Sequence, residues 1–439
     1  MLNSRSVGYL DITADELVSA LLTLAKTEPV CLLDSSRVAH LGSHLLIAGI
    51  EPVQRLELSS DDYLSSLSTF DQLLSGPFAA VFTLSYEFGR KIQGFEPIES
   101  IDPEPDVFIS LFDVLIVHDY KSGLTRLVGH SNKFPALEEK VLSVELPSMV
   151  GDDVECLVRS DFTKEGYLEA IERIKERIRC GDTYQTNLTQ RLSCSLPDGV
   201  TAERIFANVR SDHPAAFSAL ITRENSTVVS ASPERFFRIE GGVITTSPIK
   251  GTRPRGVTKQ EDGFLRRELL RSRKDRAENT MIVDLLRNDL GRVSKYGTVA
   301  VESLCVLEEY PSLFHLVSTV SGHLIPSTPQ SSVLKALFPC GSVTGAPKIS
   351  TMGIIDEVEH SPRGLSMGAI GYYIPPEAFG LPEILDTSVA IRTMVIREGT
   401  ASFNVGGGIV IDSDPEKEYQ ETLTKASVLL KAINGRLEY

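Results

Sequence analysis

Short apolar, β-branched and aromatic runs crowd together in this chain, and few of them are separated by a full amphipathic helix. Successive parallel strands need a crossover of about a dozen or more residues, usually helical. Strands that follow one another in clusters point instead to α+β with mixed or antiparallel sheets. Such runs occupy residues 30–34, 79–86 and 107–117, then 216–221, 228–232, 236–239 and 243–247, and the stretch 365–410 is again β-rich. Helical periodicity appears near 15–26 and 61–74, over 163–180, over 263–288, and in a last helix capped by Asp414 with Pro415 in its first turn, ending before Gly435.

The 439 residues are 42% hydrophobic and 23% charged, a balance that excludes wholesale disorder. At roughly 150 residues per domain the length suits about three domains, or one or two large mixed cores. Residues 131–161 combine Pro135, Pro147, Gly151 and the acidic pair Asp152-Asp153, and place a soft boundary near 150 between an N-terminal region 1–150 and a larger region 151–439. Lysine plus arginine number 44 against 59 acids, a net charge of -15. That excludes a nonspecific nucleic-acid binder, which needs cations to release phosphate counterions, but not a small anionic ligand, because local charge can oppose the net. No uninterrupted apolar run of about 18 residues exists, so no membrane span is expected. The start, with Arg5, Asp11, Asp15 and Glu16, lacks the order of a signal peptide. The six cysteines form no CxxC pair. A reduced, cytoplasmic protein is the expectation.

The helix after Thr163 buries Tyr167, Ile171, Ile174 and Ile178 and stops at Gly181. The next stretch, 183–194, alternates. One face carries Tyr184, Thr186, Leu188 and Leu192, the other Gln185, Asn187, Thr189 and Arg191. That second face, polar with a single charge, reads either as a solvent-facing edge or as the lining of a site.

Asp275 with Glu278, and Glu418 with Glu421, are spaced to share one face of their helices. Brought together they make an all-oxygen cage suited to Mg²⁺. Taken separately, acids near helix starts serve the dipole and solvent. Glu234, in SPERF (232–236), and Lys250, in PIKGTRPRG (248–256), offer an acid and a nucleophile near strand ends, with Gly251 and Gly256 permitting close backbone approach. A basic surface turn is the other reading. GSVTGAPK (341–348) resembles a phosphate loop in outline, but it lacks the Gly-Lys-Ser/Thr ending and Pro347 removes an amide, which excludes a nucleotide P-loop. Its amides, and those of Gly406-Gly407-Gly408, suit a carboxylate; a bulge or packing point also explains the glycines. His315 sits in an apolar stretch, where a structural histidine is common. Arg392 is costly to bury without an anion and is a candidate carboxylate clamp.

As a set, SPERF (232–236), PIKGTRPRG (248–256), KDRAENTMIVDLLRNDLGR (274–292), HLVSTV (315–320), GSVTGAPK (341–348), DTSVAIRT (386–393), VGGGIV (405–410) and EYQET (418–422) resemble the chorismate-utilising enzyme family, in that family's order, over roughly residues 160–433. LLDSS (32–36), LSYEFGR (84–90) and PDVFISLFDVLIV (105–117) resemble the N-terminal regions of its anthranilate and aminodeoxychorismate synthase branches. The resemblance implies two large sheets packed as a sandwich and flanked by helices. It implies Mg²⁺ held by Glu278 and Glu421 and supported by Asp275 and Glu418. It makes Glu234 the general acid at the chorismate C4 hydroxyl. Arg392, Ser342 and the amides of Gly406, Gly407 and Gly408 become carboxylate-binding groups, and Thr252, Thr344, Gln185, His315 and Lys348 further lining of the pocket.

Lys250 sorts the branches. Anthranilate synthases typically carry alanine there, whereas PIKGT is similar to the aminodeoxychorismate synthase pattern. A lysine that attacks C2 and expels the C4 hydroxyl lets ammonia enter at C4, giving the para product. Isochorismate and salicylate synthases resemble a third pattern, with a water-activating lysine where Gln185 stands. No cysteine lies in a nucleophile elbow, and the resemblance implies ammonia from a separate glutamine amidotransferase subunit. The competing expectations are an anthranilate synthase large subunit and a noncatalytic anion- or metal-binding regulator.

Overall fold

The computed structural model describes residues 5–438 apart from 39–43, 61, 99–102, 146–153, 311–312, 377–378 and 380. Its strands form two sheets, of thirteen and ten strands among the described residues. Pairing between named strands is antiparallel except where Gly435–Leu437 runs parallel to Cys156–Ser160, as the clustered strands predict.

In the larger sheet Val30–Asp34, Phe217–Thr222, Thr227–Ser232, Thr393–Arg397, Thr400–Ile409 and Gln185–Ser195 are successive neighbours. In the smaller one Leu313–His323, Val243–Ser247, Arg235–Glu240, Ile384–Val389, Ala369–Ile374 and Ala79–Leu84 follow in order. The sheets face each other across Ile47, Ala219, Ile221 and Val228 on one side and Val81, Phe108, Phe112 and Ile370 on the other. Helices Ala14–Leu24, Ala202–Asp212 and Pro415–Ala432 cover the outer face of the larger sheet, and Tyr63–Leu74, Arg273–Gly291 and Gln330–Leu337 that of the smaller. Alternating side chains bury one face of each strand between the sheets and the other under helices. Among the described residues no helix is long and apolar enough to cross a membrane.

The boundary near residue 150, with Pro147, Gly151, Asp152 and Asp153, lies outside the described residues. Strands from both sides of it share both sheets: Val30–Asp34 pairs with Phe217–Thr222, and Ala79–Leu84 with Ala369–Ile374. The flanking 131–161 stretch is not merely a connection, for it holds the helix Phe134–Leu142 and the strand Cys156–Ser160.

Two other sequence expectations change. The single run at 107–117 is two strands, Val107–Phe112 in the smaller sheet and Val114–Asp119 in the larger, with the chain changing sheets at Asp113. The single helix at 263–288 is two, Lys259–Arg271 and Arg273–Gly291. Ser272 ends the first, and its hydroxyl accepts the Asp275 amide to cap the second.

Similar changes of sheet place the functional residues. Thr227–Ser232 lies in the larger sheet and Arg235–Glu240 in the smaller, so Glu234 stands at the crossing. Ile384–Val389 and Thr393–Arg397 cross back beside it, with Arg392 at the second crossing, and the Val389 amide donates to the Glu234 carbonyl.

Candidate active site

Glu234 is 5% exposed. One carboxyl oxygen has no hydrogen-bond partner, while the Ser342 side chain and the Ile249 amide bind the carboxyl. Burial pushes its pKa above the ordinary value, against the pull of Lys250. A carboxyl held toward its neutral form is suited to donating a proton. Glu234→Gln is expected to abolish turnover yet raise the melting temperature at neutral pH, because it removes a buried carboxylate. The native pKa is raised, so the wild-type penalty develops as pH rises through 4.5 toward the native value and disappears below 4.5. Melting curves of both proteins across that range check it, and a gap that widened on acidification would contradict it.

Lys250 owes its position to a bulge. In the strand Ile249–Pro254, Ile249 pairs with Val317 and Thr252 with His315, leaving two residues opposite one. Gly251 absorbs the irregularity at φ 83°. A Cβ there would stand 2.9 Å from the Asp275 Cβ. The Lys250 ammonium donates to the Ser342 carbonyl at 3.3 Å. Gly251→Ala is therefore expected to cost about 1–3 kcal/mol, from the left-handed backbone and the clash together, and to lower activity by moving Lys250. Denaturant midpoints and initial rates check this.

The two acidic helix faces do meet, with cations between them. Lys274, absent from the sequence-derived site, donates to Glu418 at 3.0 Å and lies 3.9 Å from Glu278. Arg253 pairs with Asp275 at 3.1 Å, and Lys425 with Glu421 at 2.9 Å. Glu418 is buried and also accepts from Ser413, so it is not an acid spent on solvent. Burial raises the Glu278 pKa, opposed by Lys250 and Lys274, whereas Lys425 lowers that of Glu421. Among the described residues no cluster of His, Cys, Asp or Glu converges as a ready-made metal cage. The donors are all hard carboxylate oxygens, and Glu278 carries a buried oxygen with no hydrogen-bond donor, which fits a dication shared between the helices.

The polar face of Gln185–Ser195 is not a solvent edge: Gln185, Asn187 and Thr189 are all buried. Both polar atoms of the Gln185 amide lack partners, and the side chain lies on Gly408, where a Cβ would come within 2.5 Å of it. A Cβ on Gly406 would meet the Leu188 carbonyl at 1.9 Å, and one on Gly407 would face Lys425 and Glu418. The glycines thus let the strand Thr400–Ile409 approach its neighbour and the acidic helix. Thr252 Oγ1 and His315 Nδ1 lie 2.8 Å apart, joining two expected pocket residues.

Two expected lining residues are used structurally. The Thr344 hydroxyl donates to the Cys340 carbonyl, closing its own turn. Lys348 is buried, with its ammonium 2.8 Å from Asp289 and 2.7 Å from the Leu337 carbonyl, which ties its helix to the end of Arg273–Gly291. Arg392 is part-buried at φ 50° and makes no ion pair among the described residues. Burial lowers its pKa. Among the described residues no hydrogen bond or ion pair joins it to Lys250 or Glu234; burial, then Lys431 and, least, Arg392 hold the His213 pKa low.

The sequence matches the chorismate binding enzyme family over residues 29–431. Aminodeoxychorismate synthase component 1 of Bacillus subtilis is 37% identical over 368 residues, covering 81% of this chain and 76% of the relative. Anthranilate synthase component 1 of Aquifex aeolicus is 36% identical over 365 residues, covering 78% and 72%. Among solved structures, anthranilate synthase component I of Streptococcus pneumoniae superposes with a TM-score of 0.74 at 27% identity, over 89% of this chain and 93% of that one. The menaquinone-specific isochorismate synthase of Escherichia coli shares the fold, with a TM-score of 0.72 at 18% identity over 98% and 95%. The sandwich, the order of its motifs and these matches together make the chain a member of the chorismate binding enzyme family.

Proposed function

We propose that this enzyme aminates chorismate at C4, as an aminodeoxychorismate synthase large subunit of para-aminobenzoate and folate synthesis, with Lys250 as covalent nucleophile. The observation that carries the reading is the meeting of an amine and an acid at Ser342: its carbonyl accepts from the Lys250 ammonium at 3.3 Å, and its side chain lies at the buried Glu234 carboxyl. In a synthase that used ammonia directly at C2, a lysine in that place would have no task.

The Lys250 ammonium first gives a proton to solvent, and the amine so formed attacks C2 while the two ring double bonds shift. The C4–O bond breaks, and Glu234 protonates the departing hydroxyl so that it leaves as water. The adduct nitrogen gives its proton to the Glu234 carboxylate, which is restored as the acid. Ammonia then attacks C4, the double bonds shift back, and Lys250 leaves with its electron pair, reprotonated on departure. Ser342 holds both partners, its carbonyl on Lys250 and its side chain on Glu234.

Glu278 and Glu421 would hold Mg²⁺, with Asp275 and Glu418 supporting them; when bound, the ion neutralises a substrate carboxylate. Lys274 then has to turn outward, and its half-exposed side chain leaves it free to do so. Arg392 and the amides of Gly406–Gly408 are assigned to the remaining anionic groups of the substrate. Ammonia comes from a separate glutamine amidotransferase subunit in the cytoplasm, and ammonium salts replace it in the purified chain.

The competing reading is anthranilate synthase, whose relatives match at nearly the same identity. Incubation with chorismate, Mg²⁺ and ammonium chloride separates the two. Non-fluorescent 4-amino-4-deoxychorismate is expected; fluorescent anthranilate would replace the first reading with the second.

A further inference from the structure

Arg363 touches none of the reacting groups, yet it is 3% exposed and uses its whole guanidinium. It forms a two-pronged pair with Glu359 at 2.8 and 2.6 Å. It also donates to the Val343 carbonyl and to the Asn187 carbonyl, each at 2.7 Å. The Tyr86 ring covers it at 4.5 Å. Glu359 in turn accepts the Thr189 amide at 2.7 Å and its hydroxyl at 3.0 Å.

A buried ion pair is weak evidence for stability, since apolar residues of similar volume often replace one without loss. What distinguishes this pair is where its spare donors go. One reaches Val343, the residue after Ser342, in the turn Gly341–Val343. The other reaches the strand that carries Gln185 and Asn187. We propose that Arg363 is a positioning residue for Lys250, acting through the Ser342–Val343 turn, and so sets how the amine meets C2. The proposal rests on the reading of Lys250 as the nucleophile.

The geometry is specific to arginine. Holding two carbonyls on different segments while gripping a carboxylate in two places requires a planar fork of five donors, which a lysine ammonium cannot reproduce. A shift of about 1 Å in the turn is enough to cost up to 10²-fold in rate. Arg363 also lines a cavity of about 720 Å³, with Glu87, Asp161 and Arg191 among its walls. In Arg363→Ala the emptied guanidinium position would adjoin this cavity, which gives a small guanidinium a route to it.

The test compares the full wild-type chain with Arg363→Lys and Arg363→Ala. The first readout needs no substrate: competitive acylation of Lys250, followed by peptide mass spectrometry and expressed relative to the exposed lysines. Its rate is expected to change by about threefold or more in both variants. With substrates, kcat is expected to fall about tenfold or more while KM for chorismate stays within about threefold. Methylguanidinium should restore part of the loss in Arg363→Ala and none in Arg363→Lys. Unchanged Lys250 labelling in a folded variant, or a loss confined to KM, overturns the proposal. If Arg363→Ala does not fold, Arg363→Lys decides by the labelling and the kcat–KM split. If the wild type never aminates C4, the parent reading fails by itself, and the substrate-free labelling still decides whether Arg363 holds Lys250.

Discussion

Lys250→Ala is expected to lose C4 amination by about 10³-fold or more while still binding chorismate. The substitution removes the nucleophile that opens C4 by attack at C2, while Glu234 remains as the proton donor. The side chain is part-buried and its ammonium meets one protein oxygen, the Ser342 carbonyl. Truncation therefore leaves the fold intact, and melting temperature should move little. Any residual turnover should shift toward the ortho product, because ammonia then has direct access to C2. Product analysis by mass and fluorescence reads both effects. Undiminished 4-amino-4-deoxychorismate would remove Lys250 from the mechanism.

Glu278→Gln is the second substitution with a large expected effect. It keeps shape and volume but removes a carboxylate whose buried oxygen has no donor to satisfy it. If that oxygen is reserved for a dication, the variant should lose Mg²⁺ affinity and activity by well over the ~10–100-fold that outer partners of a metal ligand cost. Stability without metal should rise, because burial penalises the carboxylate. Titration calorimetry with Mg²⁺ alone reads the affinity without catalysis. A variant that bound Mg²⁺ as the wild type does would move the site away from the helix Arg273–Gly291.

The clustering of apolar runs made mixed or antiparallel sheets legible, because hairpin-linked strands leave no room for helical crossovers; that there are two came from the family resemblance. The helix ends were legible for a local reason: Thr163 and Asp414 cap through their own side chains. What stayed hidden depends on long-range pairing. Nothing local in 107–117 says that Asp113 is where the chain leaves one sheet for the other. The break at Ser272 is weakly marked, since serine within a helical pattern is ambiguous until its hydroxyl is seen on the Asp275 amide.

In the site, it was the family resemblance that grouped Glu234, Lys250, Ser342 and the four acids, and the structure sets Ser342 against both Lys250 and Glu234. The resemblance gave no sign that Lys348 is tied to Asp289, or that Thr344 closes its own turn, because a motif does not say which of its polar groups the fold itself consumes. Lys274 was missed although it lies one residue before Asp275; a cation among acids reads from sequence as ordinary helix pairing. Arg363 and Glu359 carried an i,i+4 signal of the same kind. Only their burial distinguishes them.

The most direct test is the intact mass of the enzyme, quenched with acid after brief incubation with chorismate and Mg²⁺ in the absence of ammonia, followed by peptide mapping. A mass increase equal to chorismate less water, located on Lys250 and discharged to 4-amino-4-deoxychorismate on adding ammonium, is the expected result. An enzyme that makes the same product with no modification of Lys250 at any time point would contradict it.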